Sequence, residues 1–157
     1  MPVNPIRYCR VIPLMLFLLI TSLFIAACSG KYEQHYHDYS SFKKTNQRNK
    51  SWFPDIISTD AYDLQSESYL DQLCAFGRFS YKNQAYYDSL LNSTTIHKVD
   101  LSLFEEKLNM HIKRKPGWFC DIKAIPAEDQ QVFEQNRFYM INIRSEKKIY
   151  YILSDGM

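Results

Sequence analysis

The sequence predicts a small α+β domain, in which an antiparallel sheet of about four strands carries two helices packed on one face. Two β-rich runs, 138–144 and 148–153, are joined by a short loop of hairpin length. The run 73–81 alternates as a half-buried strand does, and 61–70 is a weaker strand candidate. The chain also contains 12 Tyr and 10 Phe, which favour sheet packing or, alternatively, an adhesive binding surface.

The two helices are expected at 84–91 and 101–113. In the second helix, Phe104, Leu108 and Ile112 form an apolar stripe of helical spacing. Basic residues at its carboxyl end suit the helix dipole, and a Pro-Gly pair ends it. The helices lie between the strand 73–81 and the C-terminal hairpin, which is the order expected of an α+β domain.

The segments between these elements carry weaker signals. An apolar cluster at 52–57 surrounds a proline and is expected to be irregular. Gly77, at the centre of a predicted strand, indicates a bulge or the close approach of another element. A short strand or extended piece is expected at 118–122, and a polar, acid-rich excursion at 127–135.

The chain begins with a predicted export signal. Arg7 and Arg10 precede the apolar run 11–28, which contains no acid and ends on small residues. A charged start, an apolar middle and a small-residue exit are typical of a secretory signal peptide. The run also has about the length of a membrane-spanning helix, so a retained anchor is the alternative. Pro13 and the absence of an aromatic or basic stop favour the signal peptide.

The end of the apolar run, Ile25-Ala26-Ala27-Cys28, resembles the lipobox of bacterial lipoproteins. The resemblance implies that Cys28 becomes lipid-modified and N-terminal. Several acyl chains would hold a domain on a bilayer almost permanently, since each buried methylene contributes about 0.8 kcal/mol. Ser29 follows, whereas an aspartate at that place commonly marks retention in the inner membrane in this family. The resemblance therefore implies an outer-membrane protein facing the periplasm if the cell is Gram-negative.

The sequence divides into a signal peptide (1–27), a lipidated N terminus with a flexible tether (28–50) and a single α+β domain (51–157). The tether is predicted because its residues are polar and show no apolar period. The signal peptide contains two arginines and no acids, so the 19 basic and 17 acidic residues of the chain leave 17 of each. A neutral remainder gives no support to a nucleic-acid partner.

Two stretches of the predicted domain carry a second resemblance. SWFPDIISTDAYDL at 51–64 and AFGRFSY at 75–81 resemble a stretch of small uncharacterised bacterial envelope proteins. The likeness implies a shared fold whose next element is a sheet. It brings no catalytic signature and therefore no function.

Four cysteines occur, and the export prediction decides their roles. Cys9 would leave with the signal peptide, and Cys28 would be acylated. Cys74 and Cys120 remain, in a compartment where thiols tend to oxidise, so a disulfide between them is predicted. It would close a loop of about 45 residues. Two buried, unpaired thiols are the alternative.

The sequence carries no hydrolase, metalloprotease, phosphate-loop or dinucleotide motif. His35, His37 and Asp38 are of the types that hold a soft divalent metal, yet a solvated segment explains them more simply. Cys120 would be a nucleophile only beside His97 or His111 and only if its sulfur were not bonded. We therefore expect no catalytic residue, no metal and no cofactor.

The function predicted from these features is that of a membrane-anchored envelope lipoprotein. Its domain would be a non-catalytic binding or structural module, with membrane lipid as one partner through Cys28 and an unknown envelope protein or glycan as the other. The alternative is a periplasmic inhibitor or immunity-type protein that blocks a toxin or hydrolase through an edge rich in tyrosines and acids.

Overall fold

The computed structural model describes residues 30–46 and 52–154. Within them, seven strands form one antiparallel sheet. The strands are β1 (Lys31–Asp38), β2 (Ala61–Tyr69), β3 (Cys74–Tyr81), β4 (His97–Lys98), β5 (Gln130–Gln135), β6 (Phe138–Ile143) and β7 (Lys148–Ser154). Their order across the sheet is β1-β2-β3-β7-β6-β5-β4. The helices are α1 (Tyr39–Lys44), α2 (Gln84–Leu91) and α3 (Leu101–Met110), with 3-10 turns at Ile112–Arg114, Ile122–Ala124 and Ala127–Asp129.

The predicted sheet of about four strands with two helices on one face is wrong. The four predicted strands correspond to β2, β3, β6 and β7, whereas β1, β4 and β5 were not predicted. The helices also pack on both faces of the sheet, because each face has its own hydrophobic cluster. Because both faces of the sheet are covered, every residue of β6 is buried, whichever face its side chain points to.

The predicted flexible tether is also wrong where the structure describes it. Lys31 to Asp38 is the edge strand β1, paired residue by residue with β2. Asp38 then caps α1 by accepting a hydrogen bond of 2.8 Å from the backbone N–H of Ser41. That bond is the main cause that lowers the pKa of Asp38. The compact unit accordingly begins at Lys31, twenty residues before the predicted start of the domain. The predicted signal peptide and Cys28 lie outside the described residues.

The first hydrophobic cluster lies under α1, α2 and the segment 52–57. Phe42 of α1 and Phe53 are almost fully buried, with their ring centroids 4.9 Å apart. The apolar cluster at 52–57 is thus irregular chain that covers the sheet, as predicted. Tyr151 of β7 belongs to this cluster, and its ring lies against the backbone of Gly77 on β3. The close approach predicted at this glycine is confirmed.

The second hydrophobic cluster lies on the opposite face, under α3 and the chain that follows it. Phe119 packs edge-on between Phe76 and Tyr150, at centroid distances of 5.1 Å and 5.4 Å. The segment 118–122, expected to be a short strand or an extended piece, forms no strand: it is turn and irregular chain that inserts aromatic side chains into the cluster. The predicted excursion at 127–135 is wrong over its last six residues, which form β5. Among the described residues, no helix is long and apolar enough to span a bilayer.

Candidate functional site

The half of the sheet formed by β1, β2 and β3 presents charged side chains on one face. We call this surface the charged sheet face. It comprises Lys31, Glu33, His35, Asp63, Glu67 and Arg78. Successive strand residues point to opposite faces, so the odd-numbered residues of β1 share this face while Tyr36 packs in the first hydrophobic cluster behind it. The second hydrophobic cluster packs farther along the sheet, on residues of β3, β7 and β6.

Lys31 is the centre of the first ion-pair group on this face. Its Nζ lies 2.6 Å from Oε1 of Glu33 and 3.1 Å from Oε1 of Glu67. These two carboxylates raise the pKa of Lys31, so its amine stays protonated at neutral pH. Glu67 is buried, with a side chain 7% exposed, and it also accepts a hydrogen bond from the Tyr69 hydroxyl. A buried carboxylate is stable here because the Lys31 ammonium and the Tyr69 hydroxyl both compensate the cost of burying its negative charge.

Asp63 is the centre of a second group, in which it contacts His35 and pairs with Arg78. Its Oδ1 lies 3.0 Å from Nε2 of His35, and its Oδ2 lies 3.7 Å from Nη2 of Arg78. Asp63 has a φ of 49° and sits where the register of β2 shifts. Aspartate tolerates this left-handed conformation, and an irregularity of this kind re-aims a side chain. The Arg78 guanidinium is also 5.5 Å from the centroid of the Trp118 ring, which fixes it at the border of the second cluster.

The charged sheet face can bind a partner that carries both signs of charge. The side chains of Glu33 and His35 are 66% and 63% exposed, and polar contacts at such exposure, ion pairs included, contribute only about 0–1 kcal/mol to stability. A partner can therefore replace these contacts with its own at little cost in free energy. The face includes β1, which is the outermost strand on this side of the described sheet. An edge strand of this kind presents backbone donors and acceptors to which an extended segment can add.

The residues weighed from the sequence as metal ligands have other partners. His35 pairs with Asp63, and Asp38 caps α1. No group of three or more His, Cys, Asp or Glu side chains that could hold a metal ion occurs within 30–46 and 52–154. A strand with one charged face could have been recognised from the alternation of Lys31, Glu33, His35 and His37.

Cys74 and Cys120 are both buried free thiols in the structure, and both belong to the second hydrophobic cluster. Burial raises the pKa of Cys74 to about 11 and that of Cys120 to about 12. Neither thiol is therefore a nucleophile at neutral pH, since the thiolate is the reactive form. The disulfide between them stays a prediction for the oxidised protein.

The histidines considered as bases for a thiol lie elsewhere. His97 is exposed on β4, at the far edge of the sheet. His111 lies 3.1 Å, through Nε2, from Oγ of Ser154, and burial lowers its pKa. Ser154 is 1% exposed, so a substrate could not reach its hydroxyl. This Ser–His contact is structural.

A shallow groove of about 390 Å³ separates α3 from the turn that follows Asp121. Acidic Glu105 and Asp121 and basic Lys115 and Lys123 line its rim. The balance of charges selects no ligand of one sign, and the groove is open to solvent. We therefore place the candidate site on the charged sheet face.

Residues 30–80 match the family model of the YbbD head domain. No curated protein and no solved structure matches the chain. The matched segment corresponds to β1, α1, β2 and nearly all of β3, which together carry every residue of the charged sheet face. The match covers about a third of the chain, and it indicates a protein associated with the bacterial cell envelope.

Proposed function

We propose that this chain is a lipoprotein of the bacterial cell envelope, anchored through acylated Cys28, whose domain binds another envelope protein without catalysing a reaction. The observation that carries the proposal is the charged sheet face beside the edge of β1, which is the outermost strand on that side among the described residues. Both lie in the segment that matches an envelope-associated family model. The lipobox-like end of the apolar run supports the anchor.

The chemistry of the site supports binding rather than catalysis. The ion pairs of Lys31 and Asp63 alternate in sign across the surface. Two groups in this region, Lys31 and Tyr69, have raised pKa values. Burial and the neighbouring Glu67 raise the pKa of Tyr69 to about 12. Both groups keep their protons at neutral pH and so lack nucleophilic character. A protein segment can pair with β1 through its backbone, which a glycan cannot do.

Site-specific photo-cross-linking in intact cells tests this proposal. A photoreactive amino acid replaces His35 on β1 in one variant and His97 on β4 in the other. The two histidines are a matched pair, because both are exposed on edge strands at opposite sides of the same sheet. We expect a discrete cross-linked protein from position 35 and none from position 97.

Charge reversal completes this test. Glu33→Lys places a second cation beside Lys31, so we expect the adduct from position 35 to decrease several-fold. Lys98→Glu on β4 is the control, and it should leave the adduct unchanged. Equal adducts from both histidine positions, or an adduct that Glu33→Lys does not weaken, would contradict the assignment of the surface.

The second candidate function is an inhibitor or immunity-type protein. Exposed Tyr32, 49% accessible, lies between Lys31 and Glu33 on β1, so a tyrosine and an acid are neighbours on the outermost strand of the described sheet. Tyrosine is enriched at the centres of tight interfaces. Identification of the cross-linked protein separates the two functions: a hydrolase or toxin whose activity falls at one equivalent of this protein would establish inhibition.

A further inference from the structure

Four exposed apolar side chains lie in two segments of the domain. Leu70 and Leu73, in the turn between β2 and β3, are 60% and 54% exposed, and Met110 and Ile112, at the end of α3, are 44% and 49% exposed. We call these four residues the basal surface. Isolated exposed apolar residues are ordinary, but a group of them marks an interaction site.

Specific contacts bring the two segments together. Nη2 of Arg114 lies 2.8 Å from Oδ2 of Asp71, and its guanidinium is 5.0 Å from the centroid of the Tyr69 ring. His111 bonds to Ser154, the cross-strand partner of Cys74. The β2–β3 turn and the end of α3 thus occupy the same end of the sheet.

This end of the sheet is also where β1 begins. Lys31 is the cross-strand partner of Tyr69, immediately before the turn that carries Leu70. Only Ser29 and Gly30 separate Lys31 from Cys28 in the sequence. Because a residue spans at most about 3.6 Å, a lipid on Cys28 would hold the start of β1 within roughly 11 Å of the bilayer.

Leu73 is unfavourable in two respects where it stands. Its φ of 46° lies in the left-handed region, which costs a branched residue about 1–2 kcal/mol, and its side chain faces solvent. Among the described residues, three of the other four non-glycine residues with positive φ are Asn46, Asp63 and Asn136, the types that tolerate this conformation. Glycine or asparagine would relieve both costs at position 73, so folding does not explain the leucine.

Basic residues border the basal surface. Arg114 and Lys31 are each paired with a carboxylate. Lys113 and Lys115 belong to the same 3-10 turn and its end, and neither forms an ion pair within 30–46 and 52–154. Exposed apolar side chains flanked by free lysines suit the headgroup region of an anionic bilayer.

We propose that the basal surface rests on the anionic phospholipid bilayer to which the chain is anchored, so that the domain lies directly against the membrane in one orientation. The inference rests on the proposed acylation of Cys28. Contact at this end leaves the far end of the sheet, with α2, directed away from the lipid. The charged sheet face and the edge of β1 then run away from the membrane, where a second envelope protein can reach them.

Fluorescence of a reporter on the lipidated chain tests this contact. The full chain is expressed with its leader, and the mature protein is reconstituted into phosphatidylethanolamine and phosphatidylglycerol vesicles. An environment-sensitive dye is attached at Ile112→Cys or, as the matched control, at Tyr86→Cys on α2, which is 44% exposed. The native Cys74 and Cys120 are buried thiols with raised pKa values and escape labelling.

We expect a blue-shifted emission from position 112, quenched by nitroxide-labelled phospholipid, and a water-like, unquenched emission from position 86. Intact-mass analysis of each sample first verifies the acyl chains, so their absence would refute the anchor itself and not the surface. With the acyl chains present, equal emission from both positions would overturn the inference. A blue shift without nitroxide quenching would assign the surface to another protein copy and would also overturn it.

Leu73→Asn provides the second variant. It should maintain or raise the melting temperature of the domain, because asparagine suits the backbone, and it should reduce the quenching of the Ile112 reporter. A fully retained quenching in Leu73→Asn would exclude Leu73 from the lipid contact and contradict the surface as defined.

Discussion

Gly77→Ala is expected to destabilise the domain severely or to prevent its folding. A Cβ added at Gly77 would overlap the ring of Tyr151, whose Cζ, hydroxyl and Cε1 atoms lie against this position. Gly77 and Tyr151 are directly opposed on β3 and β7, the two central strands of the first cluster, and Tyr151 is fully buried. The ring must therefore shift within a buried environment. Overpacking of a close-packed core costs about 1–3 kcal/mol and sometimes more.

Gly117→Ala is the matched control for this prediction. Its added Cβ would meet no atom within 4 Å, and Gly117 is not among the residues with positive φ. Alanine should therefore be neutral or slightly stabilising there, since it restricts the unfolded chain. Urea denaturation of the two variants measures the difference. Equal midpoints for Gly77→Ala and Gly117→Ala would show that Tyr151 does not occupy this space.

Phe104→Ala is the second substitution with a large expected effect. Phe104 is fully buried in the second cluster and is one of two buried residues of α3, with Leu108. The helix contacts the sheet mainly at β6 and β7, so removing this ring deprives it of its principal attachment. Phenylalanine-to-alanine changes in a core cost about 3–5 kcal/mol through lost burial and the cavity that remains.

Met110→Ala on the same helix is the control, because Met110 is 44% exposed and its loss should change the free energy of unfolding by less than about 0.5 kcal/mol. Thermal unfolding compares the two variants. A Phe104→Ala protein as stable as Met110→Ala would show that α3 is not held on the sheet by this ring.

The elements that the sequence predicted well are those with strong local signals. Helix α2 has its predicted bounds, 84–91, and the C-terminal hairpin and β3 lie within one residue of theirs. These strands form the apolar centre of the sheet, where β-branched and aromatic residues are concentrated. The role of Gly77 could also be predicted, because a glycine inside an apolar strand often marks a bulge or the close approach of another element.

The elements that were not predicted lie at or near the edges of the sheet. Strand β1 buries only Gln34 of its eight residues, so no apolar period distinguishes it from a solvated segment. Strand β4 has two residues, both exposed. Strand β5 buries adjacent Val132 and Phe133 on opposite faces, which removes the alternation that identifies a half-buried strand.

Sequence analysis could not predict most of the candidate site, for a related reason. Lys31 meets Glu67 only because β1 pairs with β2, thirty-six positions along the chain. If residues 31–38 are predicted to be a flexible tether, nothing indicates that their charged side chains share one face with those of β2. The lipobox-like end of the apolar run, in contrast, is a contiguous stretch, so the prediction made from it depends on no tertiary contact.

The membrane anchor is the claim on which the proposed partner surface and the basal surface both depend. Intact-mass analysis of the protein extracted from bacterial membranes tests it most directly, with Cys28→Ala as the control that should accumulate as an uncleaved precursor. The account predicts a chain that begins at residue 28 and carries acyl chains on that cysteine. A chain extracted from the membranes without acyl chains and with Met1 still present would contradict it.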